Sequence, residues 1–367
     1  MAEADFTPEW FSKPSDTLRS LMARKGISAT ALADGAGWQR RFVAALLSGA
    51  EPINGTTAHE LARQLGGTPE FWLRRQSQFE EHLAAASARL SRQAASNWLR
   101  ALPVKEMREQ GWLRATAGTD DPLRASLAYF DVATPDEWQD RYAHFANAFR
   151  FKSSPSFESK VGALAAWLRQ GELQTELLPT GAWDRERFRR ALVELRELSR
   201  SKNPVSFIPK LRAACSTLGV ALAFVKAPQG CRASGASRFV SPSRALMILS
   251  FRYLSDDHFW FAFFHEAAHL ILHGDGKTFI DGDIAAPSRE EEEANAFSAS
   301  VLVPADRFEE MMSLTPRVEN IVRFARSIGV SPGIVVGQMQ HHSALGPNQM
   351  NGLKRRFSWD QITEAAA

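Results

Sequence analysis

Cysteine is scarce in this sequence, and long apolar runs are missing. Cys215 and Cys231 are the only cysteines, which is too few for a disulfide framework, and their spacing is not that of a zinc ribbon. No run of eighteen or more apolar residues occurs, so neither a membrane-spanning helix nor a membrane partner is predicted. The first twenty residues lack the basic start and apolar core of a secretory signal. We therefore expect a cytoplasmic protein whose two cysteines stay reduced.

A strong excess of charge of one sign is also missing. The net charge is +3 at pH 7, with 23% charged and 44% hydrophobic residues, which is the composition of an ordinary globular protein. This balance does not by itself indicate a nucleic-acid partner. The length of 367 residues predicts two or three domains.

Residues 1–83 are predicted to form an all-α domain of five short helices separated by glycines. The third helix is expected from about Trp38 to Leu47, and the fifth starts with Thr68 as its N-cap and Pro69 in the first helical position. Five short helices with a helix–turn–helix in the middle fit a small DNA-binding module.

The stretch TLRSLMARKGISATALADGAGWQRRFVAALLSGAEPINGTTAHELARQLGGTPEFWLRRQ resembles XRE-type helix–turn–helix proteins, especially their HigA-like antitoxin branch. The resemblance implies a recognition helix at Trp38 to Leu47, with Gln39, Arg40 and Arg41 at its N-terminal end, where side chains meet base edges or phosphates. Residues 1–83 as a whole carry nine Lys or Arg against ten Asp or Glu, so the domain is not basic. A module kept for dimerisation or protein contacts is therefore the rival interpretation.

Residues 84–203 contain amphipathic helical stretches punctuated by proline and glycine, and we predict a helical connector. From Ala84 to Arg114 there are six basic residues against two acidic ones. A phosphate-facing strip would explain this bias, but a solvated helix face is the explanation that we favour. We favour a scaffold role.

The residue pattern of the chain changes after Pro204, from helical periodicity to short apolar stretches. Short, strand-like apolar stretches at Gly219–Ala227 and Arg244–Phe251 precede a strongly apolar helix. Strands followed by such a helix predict an α+β domain over residues 204–345, and residues 346–367 are predicted to be a C-terminal tail. The fold class expected for the whole chain is thus multidomain.

The apolar helix contains His265, Glu266 and His269 in the pattern H-E-x-x-H. Residues four apart lie about 40° apart and roughly 6 Å along a helix axis, so the two imidazoles share one face. They could bind one zinc ion at about 2.0–2.1 Å from each nitrogen. Glu266, displaced around the helix, would accept a proton from the water that zinc activates. Unpaired His and Glu would be costly to bury, which favours this interpretation over a structural one.

A third zinc ligand is expected from the helical stretch REEEEANAFSASVLVP. Glu291 would complete a His/His/Glu site with one open position. Asn295, one turn later, could hydrogen-bond a ligating histidine. His273 lies about 12 Å along the helix from His265, too far to share one ion with it. We therefore predict a helix-end or supporting role for His273.

The stretches SFRYLSDDHFWFAFFHEAAHLILHG and EEEEANAFSASVLVP together resemble the ImmA/IrrE family of bacterial metallopeptidases, over roughly Val205 to Gln340. The resemblance implies His265, His269 and Glu291 as zinc ligands, one Zn²⁺ per chain, and Glu266 as the general base. It also implies a zincin-like fold and the cleavage of a regulatory protein, typically a repressor. No oxyanion stabiliser is assigned, although Tyr253, His341 and His342 have suitable chemistry.

The leading hypothesis is a cytoplasmic zinc endopeptidase fused to a DNA-binding domain, which controls transcription or a stress, phage or toxin–antitoxin response. Its expected partners are a protein substrate, DNA and, in the toxin–antitoxin case, a toxin. A homodimer is expected if the domain binds paired half-sites. The alternative is an antitoxin-like repressor whose metal site is structural or sensory. A third hypothesis is an amidase or small-peptide hydrolase. The intact Glu266 favours the enzyme, because a structural site needs no general base.

Overall fold

The computed structural model describes residues 13–113, 121–148, 155–176, 178–274, 278–281 and 288–366. The chain divides into two compact units, of which the first comprises residues 1–147 and 151–166 and the second comprises residues 148–150 and 167–367. Parts of the predicted domains lie outside the described residues, namely 1–12, 114–120, 149–154, 177, 275–277, 282–287 and 367.

The first unit is helical throughout its described residues. Side-chain caps at Ser28, Asn54 and Thr68 accept hydrogen bonds from backbone N–H groups in the first turns of the helices that follow. The helices are α1 (Pro14–Lys25), α2 (Ala29–Ala36), α3 (Arg40–Leu47), α4 (Gly55–Leu65), α5 (Pro69–Arg89), α6 (Arg92–Ala101), α7 (Val104–Glu109), α8 (Pro122–Phe130), α9 (Pro135–Ala148) and α10 (Pro155–Thr175), the last of which continues into the second unit.

Two predicted features of the first unit differ in detail from the structure. The third helix begins at Arg40 rather than at Trp38. The Trp38 N–H donates to the Ala33 carbonyl across Gly37, which has a left-handed φ of 66°, so Trp38 completes the end of α2. The predicted boundary at residue 83 lies inside α5, which continues to Arg89. Thr68 and Pro69 begin that helix as predicted.

The second unit contains a four-stranded mixed sheet with the strand order β1–β3–β2–β4. The strands are β1 (Val220–Phe224), β2 (Gly235–Ser241), β3 (Arg244–Leu249) and β4 (Thr278–Asp281). β1 pairs parallel with β3, and β2 runs antiparallel to both β3 and β4. The apolar stretches predicted as strands are confirmed as β1 and β3.

Helices cover this sheet and carry most of the described residues of the second unit. They are α11 (Arg185–Glu197), α12 (Pro204–Thr217), α13 (Asp256–Leu272), α14 (Arg289–Leu302), α15 (Phe308–Met312), α16 (Val318–Ile328), α17 (Pro332–His341) and α18 (Trp359–Ala366). Helix α13 contacts β2, β3, β4, α11, α14 and α17. It therefore lies at the centre of the hydrophobic core, which explains why its sequence is apolar on nearly every side.

The segment predicted as a C-terminal tail packs into the second unit. Phe357 and Ile362 belong to its buried core, and α18 contacts α12, where Arg212 donates to the Ala366 carbonyl at 2.7 Å. A backbone N–H of the same segment, at Arg355, donates to the Asp256 carboxylate at the start of α13. These contacts tie the end of the chain to the central helix.

Both cysteines are buried, and neither forms a disulfide. Burial raises the pKa of the Cys215 thiol and of the Cys231 thiol to about 12, which keeps both groups protonated and unreactive at neutral pH. Among the described residues, no helix combines the length and apolar character needed to cross a membrane.

A buried ion pair holds the first turn of α13 to the C-terminal segment and provides a test of the fold. Lys354 Nζ lies 2.6 Å from Asp257 Oδ2, and both side chains are less than one-tenth exposed. Lys354→Met would leave the Asp257 carboxylate buried without its cation, so we expect a loss of about 3–5 kcal/mol in the free energy of unfolding. Urea unfolding followed by circular dichroism would measure it.

The matched control is Arg356→Met, which removes an exposed cation from the same segment and should change stability by less than about 0.5 kcal/mol. Equal effects of the two substitutions would contradict the importance of the buried pair.

Candidate metal centre

Helix α13 carries the H-E-x-x-H motif in its second half, inside the core. His265, Glu266 and His269 expose 1%, 0% and 0% of their surfaces. Ionisable groups at such depth need partners, because burying them unpaired would cost several kcal/mol. Helix α14 provides partners for both histidines, and β2 provides one for Glu266.

The possible ligand atoms of three side chains lie close together. His265 Nε2 and His269 Nε2 are 3.0 Å apart, and the Glu291 carboxylate on α14 approaches them at 3.1 Å and 3.4 Å. Ligands at about 2.0–2.1 Å from a tetrahedral ion would be about 3.3 Å from one another. The side chains therefore already have the separations that a tetrahedral ion requires.

The charge state of this group also suits a cation. Burial would raise the pKa of Glu291, but hydrogen bonds and charge interactions with His265 and His269 outweigh it and lower the pKa to about 2. Burial lowers the pKa of His269. A carboxylate and a neutral imidazole are the forms that bind a divalent metal. Among the described residues, this is the one group of three such side chains with metal-binding spacing.

Asn295 orients one of the two imidazoles. It lies one turn after Glu291 on α14, and its Oδ1 is 3.0 Å from His265 Nδ1. An N–H at Nδ1 that donates to this amide oxygen leaves the lone pair of Nε2 directed at the ligand group. His269 is held differently, since the Phe279 ring of β4 stacks on its imidazole at 4.2 Å.

Strand β2 forms a recess for the Glu266 side chain. Ser237 Oγ donates to Glu266 Oε2 at 2.6 Å, and both residues are buried. A Cβ at Gly235 would lie 2.5 Å from Glu266 Oε1. Residues 235 and 237 face the same side of the strand, so the strand provides both the space and a hydrogen-bond donor for the carboxylate.

His273 lies outside the ligand group. Helix α13 ends at Leu272, and His273 caps it with its backbone N–H bonded to the His269 carbonyl. Its Nε2 is 3.5 Å from Glu293 Oε2 on α14. The contact joins two helices that carry the candidate ligands.

The other predicted site residues belong to separate parts of the chain. Gln39 is the N-cap of α3, and Arg40 and Arg41 form its exposed first turn in the first unit. Tyr253 is exposed, and its ring packs at an angle against His258 with a centroid distance of 4.3 Å. His341 and His342 are adjacent at the end of α17. The oxyanion stabiliser stays unassigned.

Sequence reasoning missed Ser237, Gly235 and Phe279. The strand-like text ASRFVS contains the serine, but nothing in its local pattern indicates which helix it faces. The three residues are near the motif only because β2 and β4 are neighbours in the sheet and both contact α13.

Comparison with known proteins agrees with this geometry. The family model described as the IrrE N-terminal-like domain, Peptidase_M78, matches residues 222–338, a range that includes α13 and α14. This match supports the ImmA/IrrE family for that part of the chain and points to a metallopeptidase-type hydrolase. Such peptidases depend on a metal, and the buried His265, His269 and Glu291 could hold one. No curated protein matches the chain.

The recess around Glu266 leads to a test that needs no substrate. Gly235→Ala would push a methyl group into the Glu266 side chain, so we expect a destabilisation of about 1–3 kcal/mol. In a Glu266→Ala background the same substitution should cost at least about 1 kcal/mol less, because the clash is absent. Urea unfolding of the four proteins measures this coupling.

Gly352→Ala is the matched control, since a Cβ there meets no atom within 4 Å. A coupling near zero between positions 235 and 266 would show that the recess does not constrain the carboxylate.

Proposed function

We propose that this protein is a cytoplasmic zinc endopeptidase fused to a DNA-binding helix–turn–helix domain, and that it cleaves a regulatory protein such as a repressor. The observation that carries the proposal is the buried His265, His269 and Glu291 group at tetrahedral spacing, beside the buried carboxylate of Glu266. Within the proposal the peptidase domain spans residues 204–345 and has a zincin-like fold.

In this mechanism each residue has a distinct task. His265, His269 and Glu291 would hold one Zn²⁺ per chain, and zinc when bound supplies a Lewis acid for a peptide carbonyl and lowers the pKa of water. Glu266 takes the proton of the attacking water as general base and passes it to the leaving amine. Ser237 holds one oxygen of that carboxylate through its 2.6 Å hydrogen bond, and Asn295 keeps His265 in the ligating orientation.

The proposed regulatory role rests on the N-terminal helices. We propose residues 1–83 as the DNA-binding domain and 84–203 as a helical connector. Gln39, Arg40 and Arg41 are exposed at the start of α3, where side chains of a recognition helix contact DNA. DNA binding by a homodimer would bring the peptidase close to a DNA-bound substrate, in a transcriptional, stress, phage or toxin–antitoxin response.

Metal content is the direct test of the peptidase. We expect one zinc per chain in the wild type and its loss in His269→Ala and Glu291→Ala, because each removes a ligand. Glu292→Ala, which removes an exposed neighbouring acid from α14, should retain zinc. Glu266→Gln should also retain zinc but lose cleavage of a candidate repressor. Mass-spectrometric metal analysis and gel-based cleavage provide the readouts.

Two outcomes would count against the peptidase. If the wild-type protein binds no zinc after loading, the proposal of a zinc peptidase is wrong. Zinc that is bound and lost with its ligands, in a protein that cleaves nothing and represses an operator, would favour the antitoxin-like repressor with a structural or sensory metal.

DNA binding has its own test, which does not involve the metal. Arg40→Ala combined with Arg41→Ala should weaken binding to a DNA fragment upstream of the gene, and should reduce the salt slope of log K by up to about 2 if both contact phosphates. Fluorescence anisotropy at several salt concentrations measures this. Arg24→Ala with Lys25→Ala, an exposed pair at the end of α1, is the control, and an unchanged slope in the α3 variant would argue for the dimerisation module.

A further inference from the structure

A cavity of about 490 Å³ lies beside the candidate metal centre in the second unit. Its walls are α13, α14, α17 and the loop that contains Tyr253. The volume is in the range of pockets that hold small organic ligands or large side chains. Asn295 lines the cavity and also belongs to the metal centre, whereas the three candidate ligands are not among the lining residues.

The cavity contacts α13 about one helical turn before the H-E-x-x-H motif. Ala262 lines it and lies one helical turn before both His265 and Glu266 on the same face of α13. Asn295 lines it too, and its Oδ1 contacts His265 Nδ1. The cavity is therefore bounded by a residue of α13 just before the motif and by a residue that contacts one candidate ligand.

The lining is mostly apolar with one buried amide. Phe259, Phe261 and Ile334 contribute carbon surface. Gln338 on α17 is 6% exposed and lines the cavity, and its side-chain amide makes no hydrogen bond with any residue that the structure describes. The amide is therefore available to a polar atom of an occupant, which would take the place of water as its hydrogen-bond partner.

The charges around the cavity exclude a cationic occupant. The carboxylate in its lining is Asp257, which is already neutralised by Lys354 and bonded by Ser255. Arg252 and His341, which also line it, contribute positive or neutral groups. A lysine or arginine side chain would find no unpaired acid there and would lose its hydration.

We propose that this cavity is the specificity pocket of the peptidase, and that it receives a large uncharged side chain of the substrate polypeptide, tyrosine best of all. The ring would pack on the phenylalanines, and the hydroxyl would bond to the Gln338 amide. The inference rests on the proposed function, since it assigns the substrate class of that same site.

Two substitutions test the pocket in opposite ways. Ala262→Leu fills it next to the catalytic helix and should lower kcat/KM for tyrosine-containing peptides at least tenfold, with little change for alanine at the same position. Gln338→Glu keeps the shape but adds a carboxylate, and should raise the lysine-to-tyrosine preference at least tenfold. A library of quenched fluorescent peptides measures both ratios. Gln349→Glu, an exposed glutamine, is the control and should change neither.

A binding measurement separates this inference from the peptidase activity itself. Zinc-loaded Glu266→Gln protein is titrated with N-acetyl-tyrosinamide and N-acetyl-lysinamide and followed by NMR. We expect the tyrosine compound alone to bind, and its binding to be lost when Ala262→Leu is added. If N-acetyl-tyrosinamide does not bind, or if Gln338→Glu leaves the lysine-to-tyrosine preference unchanged, the proposed specificity pocket is wrong. If the protein binds N-acetyl-tyrosinamide as expected but cleaves no peptide, the binding pocket is supported and the proposed peptidase activity is wrong.

Discussion

The burial of α13 is the constraint on which the second unit depends. This helix brings two aspartates, two histidines and a glutamate into a hydrophobic core, where unpaired polar groups are expensive. Their partners come from distant parts of the chain, and they are Ser331 and Arg355 for Asp256, Lys354 for Asp257, Asn295 for His265, Ser237 for Glu266 and Glu291 for both histidines. A strand, two helices and the C-terminal segment are thus fixed by the polar groups of one helix.

The same constraint assembles the candidate metal centre before any ion is considered. Folding brings two imidazole nitrogens within 3.0 Å of each other and against a carboxylate, an arrangement of lone pairs that a cation would stabilise. The lowered pKa of Glu291 keeps its carboxylate ionised. The core packing around α13 holds these groups in position, so an ion would meet a site that needs little rearrangement.

Local periodicity was enough to predict some contacts, whereas others depend on topology. The spacing of His265 and His269 on one helix, and of Glu291 and Asn295 on another, follows from 3.6 residues per turn, and the distances agree with it. Ser237 could not be found in this way, because its contact with Glu266 requires β2 to lie between β3 and β4. The start of α3 at Arg40 does not follow from periodicity either, because Trp38 ends α2 through a left-handed Gly37. The packing of the C-terminal segment is likewise invisible to local patterns, because Lys354 pairs with Asp257, which is about a hundred residues away in the chain.

Two glycines on α17 connect the stability of α13 with the proposed specificity pocket. A Cβ at Gly333 would lie 2.3 Å from Asp256 Oδ1, and one at Gly337 would lie 2.9 Å from the Cβ of Asp257. These positions are four residues apart and face α13 together, so the helices approach closely at the buried aspartates. Gln338 follows directly and forms part of the cavity wall. The close approach that secures the start of α13 therefore lies next to the wall of the cavity, which Gly337 and Gln338 both line.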